Sequence, residues 1–162
     1  MAGAGLRLVY GGGSVGLMGV LADAALAAGG QVVGVIPGHL NRAEVAHMGL
    51  SELVVVDSMH ARKQRMFELS DAFVGLPGGI GTLDETVEIL TWRQLRLHDK
   101  PIYLLDADYW RPFLALLEHY RAHDFAYGGI LELFEVVPDV EALLAALARA
   151  PSPGLPARPE RL

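Results

Sequence analysis

The tract Pro77-Gly78-Gly79-Ile80-Gly81-Thr82-Leu83-Asp84-Glu85 sets three glycines after a proline, with two carboxylates directly behind them. A helix opening there presents backbone amides that have no acceptor within the helix, and such amides suit a phosphate. Glycine costs backbone entropy on folding, so Gly78, Gly79 and Gly81 make sense where a ligand must touch the main chain. Thr82 with Glu85 three residues on also fits a capping box, a purely local use of both side chains. In that register Asp84 and Glu85 lie in the first turn, where two negative charges oppose a phosphate and need another task. A second glycine turn, Gly11-Gly12-Gly13-Ser14-Val15-Gly16, fits G-x-G-x-x-G after a strand and before a helix, and would bring the Gly12 and Gly13 main chain close to a phosphate. The same glycines also suit a turn that merely packs tightly. A nicotinamide site lacks its second support, because the next strand ends in Ile36-Pro37-Gly38 without the acidic residue that holds a ribose.

Cations come from the segment Asp57 to Phe67, read as a helix capped by Asp57 or Ser58, on which Met59, Arg62, Lys63 and Met66 share one face. One reading has Arg62 lining a cleft beside the glycine turns, its planar guanidinium on a phosphate or a base edge, with Lys63 doing the same less specifically. The other has both side chains covering apolar surface while their heads reach water. Glu44, in a polar loop after Pro37-Gly38, is by itself an exposed acid. His119 and His123 have metal-ligand spacing, but Tyr120 stands where an H-E-x-x-H motif has its glutamate, and the pair is read as a solvated helix face. No metal and no cofactor is expected. The chain has two lysines, Lys63 and Lys100, and Lys100 lies at the entry to a strand, the end opposite the expected site. A pyridoxal enzyme, which needs a Schiff-base lysine and a partner for the ring nitrogen, is disfavoured.

These residues need a scaffold that carries loops to one edge. Short apolar runs, Leu6 to Tyr10, Val32 to Ile36, Leu53 to Val56, Ala72 to Leu76, Ile102 to Leu105 and Phe134 to Val137, are mostly apolar at consecutive positions, as strands covered on both faces are. They alternate with helical stretches at Val15 to Ala28, Met59 to Leu69, Leu83 to Leu97, Trp110 to His123 and Val140 to Ala148. That order predicts an α/β fold, a Rossmann-like doubly wound parallel sheet with helices on both faces, whose ligands lie beyond the carboxyl ends of the strands. The chain of 162 residues is expected to form one nucleotide-binding domain over 1–149, followed by a proline-rich flexible tail over 150–162. A hydrophobic fraction of 52% argues against disorder, and a net charge of -6 disfavours nucleic acid and anionic membranes as partners. No apolar run reaches the ~20 residues of a membrane span. The absence of cysteine fits a reducing compartment, so the cytoplasm is the expected location.

Taken together, Tyr10-Gly11-Gly12-Gly13, the Glu44 loop, Met59-His60-Ala61-Arg62-Lys63-Gln64-Arg65-Met66, Pro77 to Glu85 and Thr91-Trp92 resemble the "lonely guy" family, the cytokinin riboside 5'-monophosphate phosphoribohydrolases, formerly labelled possible lysine decarboxylases. The resemblance runs from about Leu6 to about Leu147, and the P-G-G-x-G-T-x-x-E signature is complete. It implies a Rossmann-like homodimer that hydrolyses the N-glycosidic bond of a nucleoside 5'-monophosphate to a free base and ribose 5-phosphate. It also implies that Arg62 and Glu85 are the catalytic pair, and that Glu44, Lys63, Gly78, Gly79, Gly81, Thr82 and Thr91 bind substrate. Three departures stand out. The chain starts almost at the Tyr10 tract, so the strand and helix with a Gly-Ser turn usual in the family are expected to be missing, and Ile80 and Asp84 replace an aromatic and a glutamate. The alternative function is a nucleotide or molybdenum-cofactor carrier of the same fold that performs no chemistry.

Overall fold

The computed structural model describes residues 1–41, 45–126 and 128–150, and the chain divides into two compact units, residues 1–70 and the remainder from Asp71. The first unit holds strands β1 (Leu8–Tyr10), β2 (Val32–Pro37) and β3 (Glu52–Val56) with helices α1 (Leu17–Ala27) and α2 (Met59–Leu69). Its sheet has the order β1-β2-β3, with both pairings parallel. β2 lies in the middle, and all six of its residues are buried, as its unbroken apolar run requires. Leu8, Tyr10, Ala22 and Val32 form the core between the sheet and α1. Ser58 caps α2 by accepting a hydrogen bond from the Ala61 N–H at 3.1 Å, which settles the choice between Asp57 and Ser58.

The second unit holds β4 (Phe73–Gly75), β5 (Ile102–Leu105) and β6 (Glu135–Val137) with helices α3 (Ile80–Gln94), α4 (Ala107–Ala122) and α5 (Val140–Arg149). The sheet order is β4-β5-β6, again all parallel, with β5 central. Leu90, Ile102, Leu104, Trp110, Phe113 and Leu117 fill one face of it, and Tyr103, Val137, Leu143 and Ala146 the other, so helices cover both faces. Asp139 caps α5 through the Ala142 N–H at 2.8 Å.

The α/β class, the parallel pairing and every expected element are present. The six strands are arranged as two three-stranded sheets. Several local expectations are corrected: α4 starts at Ala107, three residues before the expected Trp110, because Asp106 caps it there, and α3 ends at Gln94, short of the expected Leu97. The helix carrying the glycine signature starts at Ile80, three residues before the expected Leu83, because the helix runs into the glycine tract itself. The face of α2 bearing Met59 and Met66 does not enter a core: Met59 is exposed, Met66 is half-buried, and α2 has no buried residue. Among the described residues, no helix is long and apolar enough to cross a membrane. All of the 150–162 tail except Ala150 lies outside the described residues, as does Glu44.

Candidate active site

In the first unit, the residues that matter gather at the carboxyl ends of β1 and β2, where open parallel sheets place their ligands. Arg62 reaches there from α2: its Nε donates to the Val35 carbonyl at 3.3 Å. Its guanidinium lies against the main chain of Gly11, so close that a β-carbon on residue 11 would fall 1.8 Å from Nη2. Gly11 is thus a glycine because the arginine head occupies its side-chain space. Arg62 is half-buried and anchored on a carbonyl, which a side chain serving only to cover apolar surface would not be. Lys63, the next residue of α2, is also half-buried.

In the turn at residues 11–16, Gly12 and Gly13 are held by close packing, and Gly12 and Gly16 have the positive φ that favours glycine. Gly12 has φ +73°, and a β-carbon there would press on Ile36 at 3.3 Å and on the Val35 nitrogen at 3.4 Å. Gly13 is buried as well and pairs in an isolated antiparallel bridge with Ala46. The Gly12 carbonyl accepts the His47 N–H at 2.9 Å, the Gly13 carbonyl accepts the Tyr10 hydroxyl at 3.1 Å, and the Ser14 N–H donates to the Val45 carbonyl at 2.8 Å. This turn is therefore largely occupied in holding the 45–47 segment. That segment is fastened further by His47, whose Nε2–H donates to Asp23 at 2.9 Å while Nδ1 accepts the Gly49 N–H at 3.2 Å.

In the second unit the signature tract leaves the carboxyl end of β4 and enters α3. Gly79 is the N-cap residue, and no side chain caps the helix. Thr82 is the third helical residue and not the cap, so the capping box falls. Asp84 and Glu85 move into the second turn, beyond the strongest field of the helix N-terminus, and the conflict with a bound anion eases. Thr82 folds its side chain over Gly78, where a β-carbon would lie 2.2 Å from its Oγ1. Gly79 and Gly81 differ from every glycine of the first turn up to Gly13. Neither has a positive φ, and no atom lies within 4 Å of where their β-carbons would be. Nothing in the fold requires glycine at either position, and one in a helix costs about 1 kcal/mol relative to alanine.

Gly78, Gly79, Gly81, Thr82 and Glu85 thus occupy one loop and the two turns that follow it. Glu85 is half-buried and sits one turn beyond Gly81. Thr91 does not join them. It lies nine residues after Thr82, about 14 Å along the axis, is exposed, and spends its hydroxyl on the Val87 carbonyl at 2.8 Å. Among the described residues no cluster of three or more metal-ligating side chains occurs; His119 and His123 stack, with ring centroids 4.3 Å apart, and His123 Nδ1–H donates to the His119 carbonyl.

Two residues that sequence reasoning passed over hold the signature loop. Trp110 Nε1–H donates to the Gly75 carbonyl at 3.3 Å, and the Tyr109 hydroxyl donates to the Gly78 carbonyl. Their signal is faint: an aromatic pair three residues after an aspartate that ends a strand.

The family model described as "Possible lysine decarboxylase" matches residues 18–147. A cytokinin riboside 5'-monophosphate phosphoribohydrolase of Rhodococcoides fascians is 52% identical over 144 residues, which cover 88% of this chain and 73% of that protein. A probable cytokinin riboside 5'-monophosphate phosphoribohydrolase from Oryza sativa subsp. japonica is 45% identical over 141 residues, and a cytokinin riboside 5'-monophosphate phosphoribohydrolase from Arabidopsis thaliana is 41% identical over 143. The chain spans 63% of the length of each of these two plant relatives. Among solved structures, the molybdenum cofactor carrier protein of Chlamydomonas reinhardtii superposes with a TM-score of 0.65 at 25% identity, covering 91% of this chain and 79% of its own. The molybdenum cofactor binding protein of Rippkaea orientalis gives 0.64 at 21% identity, covering 91% and 78%. The match over residues 18–147, with relatives more than two-fifths identical along most of the chain, places this protein in the possible lysine decarboxylase family, alongside the cytokinin riboside 5'-monophosphate phosphoribohydrolases.

Proposed function

We propose that this chain hydrolyses the N-glycosidic bond of a nucleoside 5'-monophosphate, a cytokinin riboside monophosphate or AMP, releasing the free base and ribose 5-phosphate. One observation carries the reading: Gly79 and Gly81 are glycines that neither backbone conformation nor packing demands, and they stand at a helix N-terminus with a carboxylate one turn on. A 5'-phosphate against the amides of this loop accounts for both, with Gly78 and Thr82 completing the cradle. Hydrolysis breaks the bond between the anomeric carbon and the base nitrogen. Water supplies the hydroxyl to that carbon and the proton to the departing base. The transition state carries positive charge on the sugar, which the Glu85 carboxylate stabilises while it takes a proton from the attacking water, and that proton passes on to the departing base through solvent, leaving Glu85 ionised again. The base leaves with growing negative charge, and the Arg62 guanidinium, which keeps its own proton, offsets it electrostatically. Lys63 adds to the positive field, and Glu44 is assigned to the base.

A homodimer in the cytoplasm belongs to the same proposal. Leu95 and Leu97, just past the end of α3, are 62% and 63% exposed, so they are surface residues that suit a partner and not core.

The test is incubation of purified protein with AMP and with isopentenyladenosine monophosphate, followed by detection of free base. Glu85→Gln is expected to lower turnover by about a hundredfold or more while substrate binding persists. Unchanged turnover in that variant removes the carboxylate from the mechanism. Binding without release by the unaltered protein favours a carrier.

A further inference from the structure

The peptide joining Gly78 to Gly79 is the least hindered in the signature loop, since neither flanking residue has a β-carbon to resist its rotation. In a trans peptide the carbonyl and the N–H point in opposite directions, so whatever grips the Gly78 oxygen also aims the Gly79 N–H. The group that grips it is the Tyr109 hydroxyl. Tyr109 is itself well fixed. It lies in the first turn of α4, where Asp106 accepts hydrogen bonds from the Asp108 and Tyr109 N–H groups at 3.1 Å each. Its ring meets Trp110 edge to face, with centroids 5.4 Å apart and planes at 87°. Trp110 is buried and bonded to the Gly75 carbonyl at the end of β4. Asp106 has φ +79° and ψ +93°, a costly conformation for a residue with a β-carbon, at the point where β5 gives way to α4.

We propose that Tyr109 is a positioning residue for the anion-binding loop: by holding the Gly78 carbonyl it locks the Gly78–Gly79 peptide with the Gly79 N–H turned toward the 5'-phosphate. The inference rests on the function proposed above. It goes further in giving the phosphate cradle a support on a different helix. A substrate lacking the phosphate gains nothing from that amide, so the effect of Tyr109 is selective for phosphorylated ligands and appears in binding, not in the bond-breaking step.

Tyr109→Phe keeps the ring and its contact with Trp110 and removes only the hydroxyl. Base release from AMP is expected to show KM raised by about fivefold to tenfold with kcat within about twofold, the loss of one well-placed hydrogen bond. Release from adenosine, however slow, is expected to be unchanged. Calorimetric titration with ribose 5-phosphate gives a second readout that needs no turnover, and its affinity is expected to fall by the same factor. An affinity for ribose 5-phosphate equal in the two proteins, or no binding by either, overturns the role of Tyr109. So does an equal loss on AMP and adenosine. Failure of the unaltered protein to release base while ribose 5-phosphate still binds more weakly to Tyr109→Phe overturns the hydrolase reading and leaves the positioning role standing.

Discussion

At the scale of single residues, glycines of different origin divide the candidate site. Gly11 yields its side-chain space to Arg62 and Gly12 has a left-handed backbone against β2, whereas Gly79 and Gly81 face open space in ordinary conformations. Alanine at 79 or 81 therefore meets no atom of the protein. Gly81→Ala, inside α3, is expected to raise stability by about 0.5–1 kcal/mol, because it removes the entropy cost of glycine in a helix. The same methyl group stands in the open space assigned above to the 5'-phosphate, so on that proposal KM for the nucleoside monophosphate is expected to rise about tenfold or more. Thermal melting and steady-state kinetics on one preparation check both halves. A Gly81→Ala protein that is both more stable and fully active shows that residue 81 is not in the cradle.

Elements decide how far a side chain's chemistry can be aimed, and α2 illustrates it. Its basic residues were visible in the sequence, and so was the choice between a cleft and a solvated face. What the sequence did not carry was the Val35 carbonyl, 27 residues away, that holds the guanidinium. The consequence is testable through Gly11. An alanine there forces the arginine head to move, and because the obstructing atom is the end of a flexible chain the fold can accommodate it. If Arg62 acts as proposed, Gly11→Ala is expected to lower kcat by about tenfold to a hundredfold, the cost of misplacing such a group by an ångström or so, with the melting temperature nearly unchanged. Legibility follows the same line. Strands and helices were readable because runs of consecutive apolar residues and helical spacing are local properties, and the ends of β5 and the whole of α2 match the sequence reading residue for residue. The start of α3 was misplaced because Thr82 and Glu85 satisfy a capping pattern that a glycine tract can override, glycine having no side chain to stop the helix from extending back to Ile80. Tyr109 and Trp110 escaped notice because their bonds go to main-chain carbonyls more than thirty residues away, which no spacing rule reports.

For the molecule as a whole, stability against pH is governed by buried groups of opposite sign in its two units. In the first, burial raises the Tyr10 phenol to about 12, with the Asp23 carboxylate adding to the effect, and the neutral hydroxyl donates to the Gly13 carbonyl. A phenol whose folded value exceeds its unfolded value of 10 contributes stability that is complete below pH 10 and is lost as the pH rises toward 12. In the second unit, burial lowers His98 below its ordinary value of 6.5, against the opposing influence of the Ile89 carbonyl that accepts from its Nε2–H at 3.0 Å. A base depressed in the folded state contributes stability that is complete above pH 6.5 and disappears as the pH falls through its folded value. The melting temperature is therefore expected to form a plateau that declines on both sides, the acid side through His98 and the alkaline side through Tyr10 together with Tyr103, whose phenol burial also raises. Tyr10→Phe should reduce the alkaline decline between pH 10 and 12 by up to about 3 kcal/mol at its far end, the share of Tyr103 remaining, while leaving the acid side as it was. His98→Phe should do the reverse, flattening the decline below pH 6.5 only. Melting curves of the three proteins across the range check this, and an alkaline decline undiminished in Tyr10→Phe assigns it to groups other than the phenol beneath the first glycine turn.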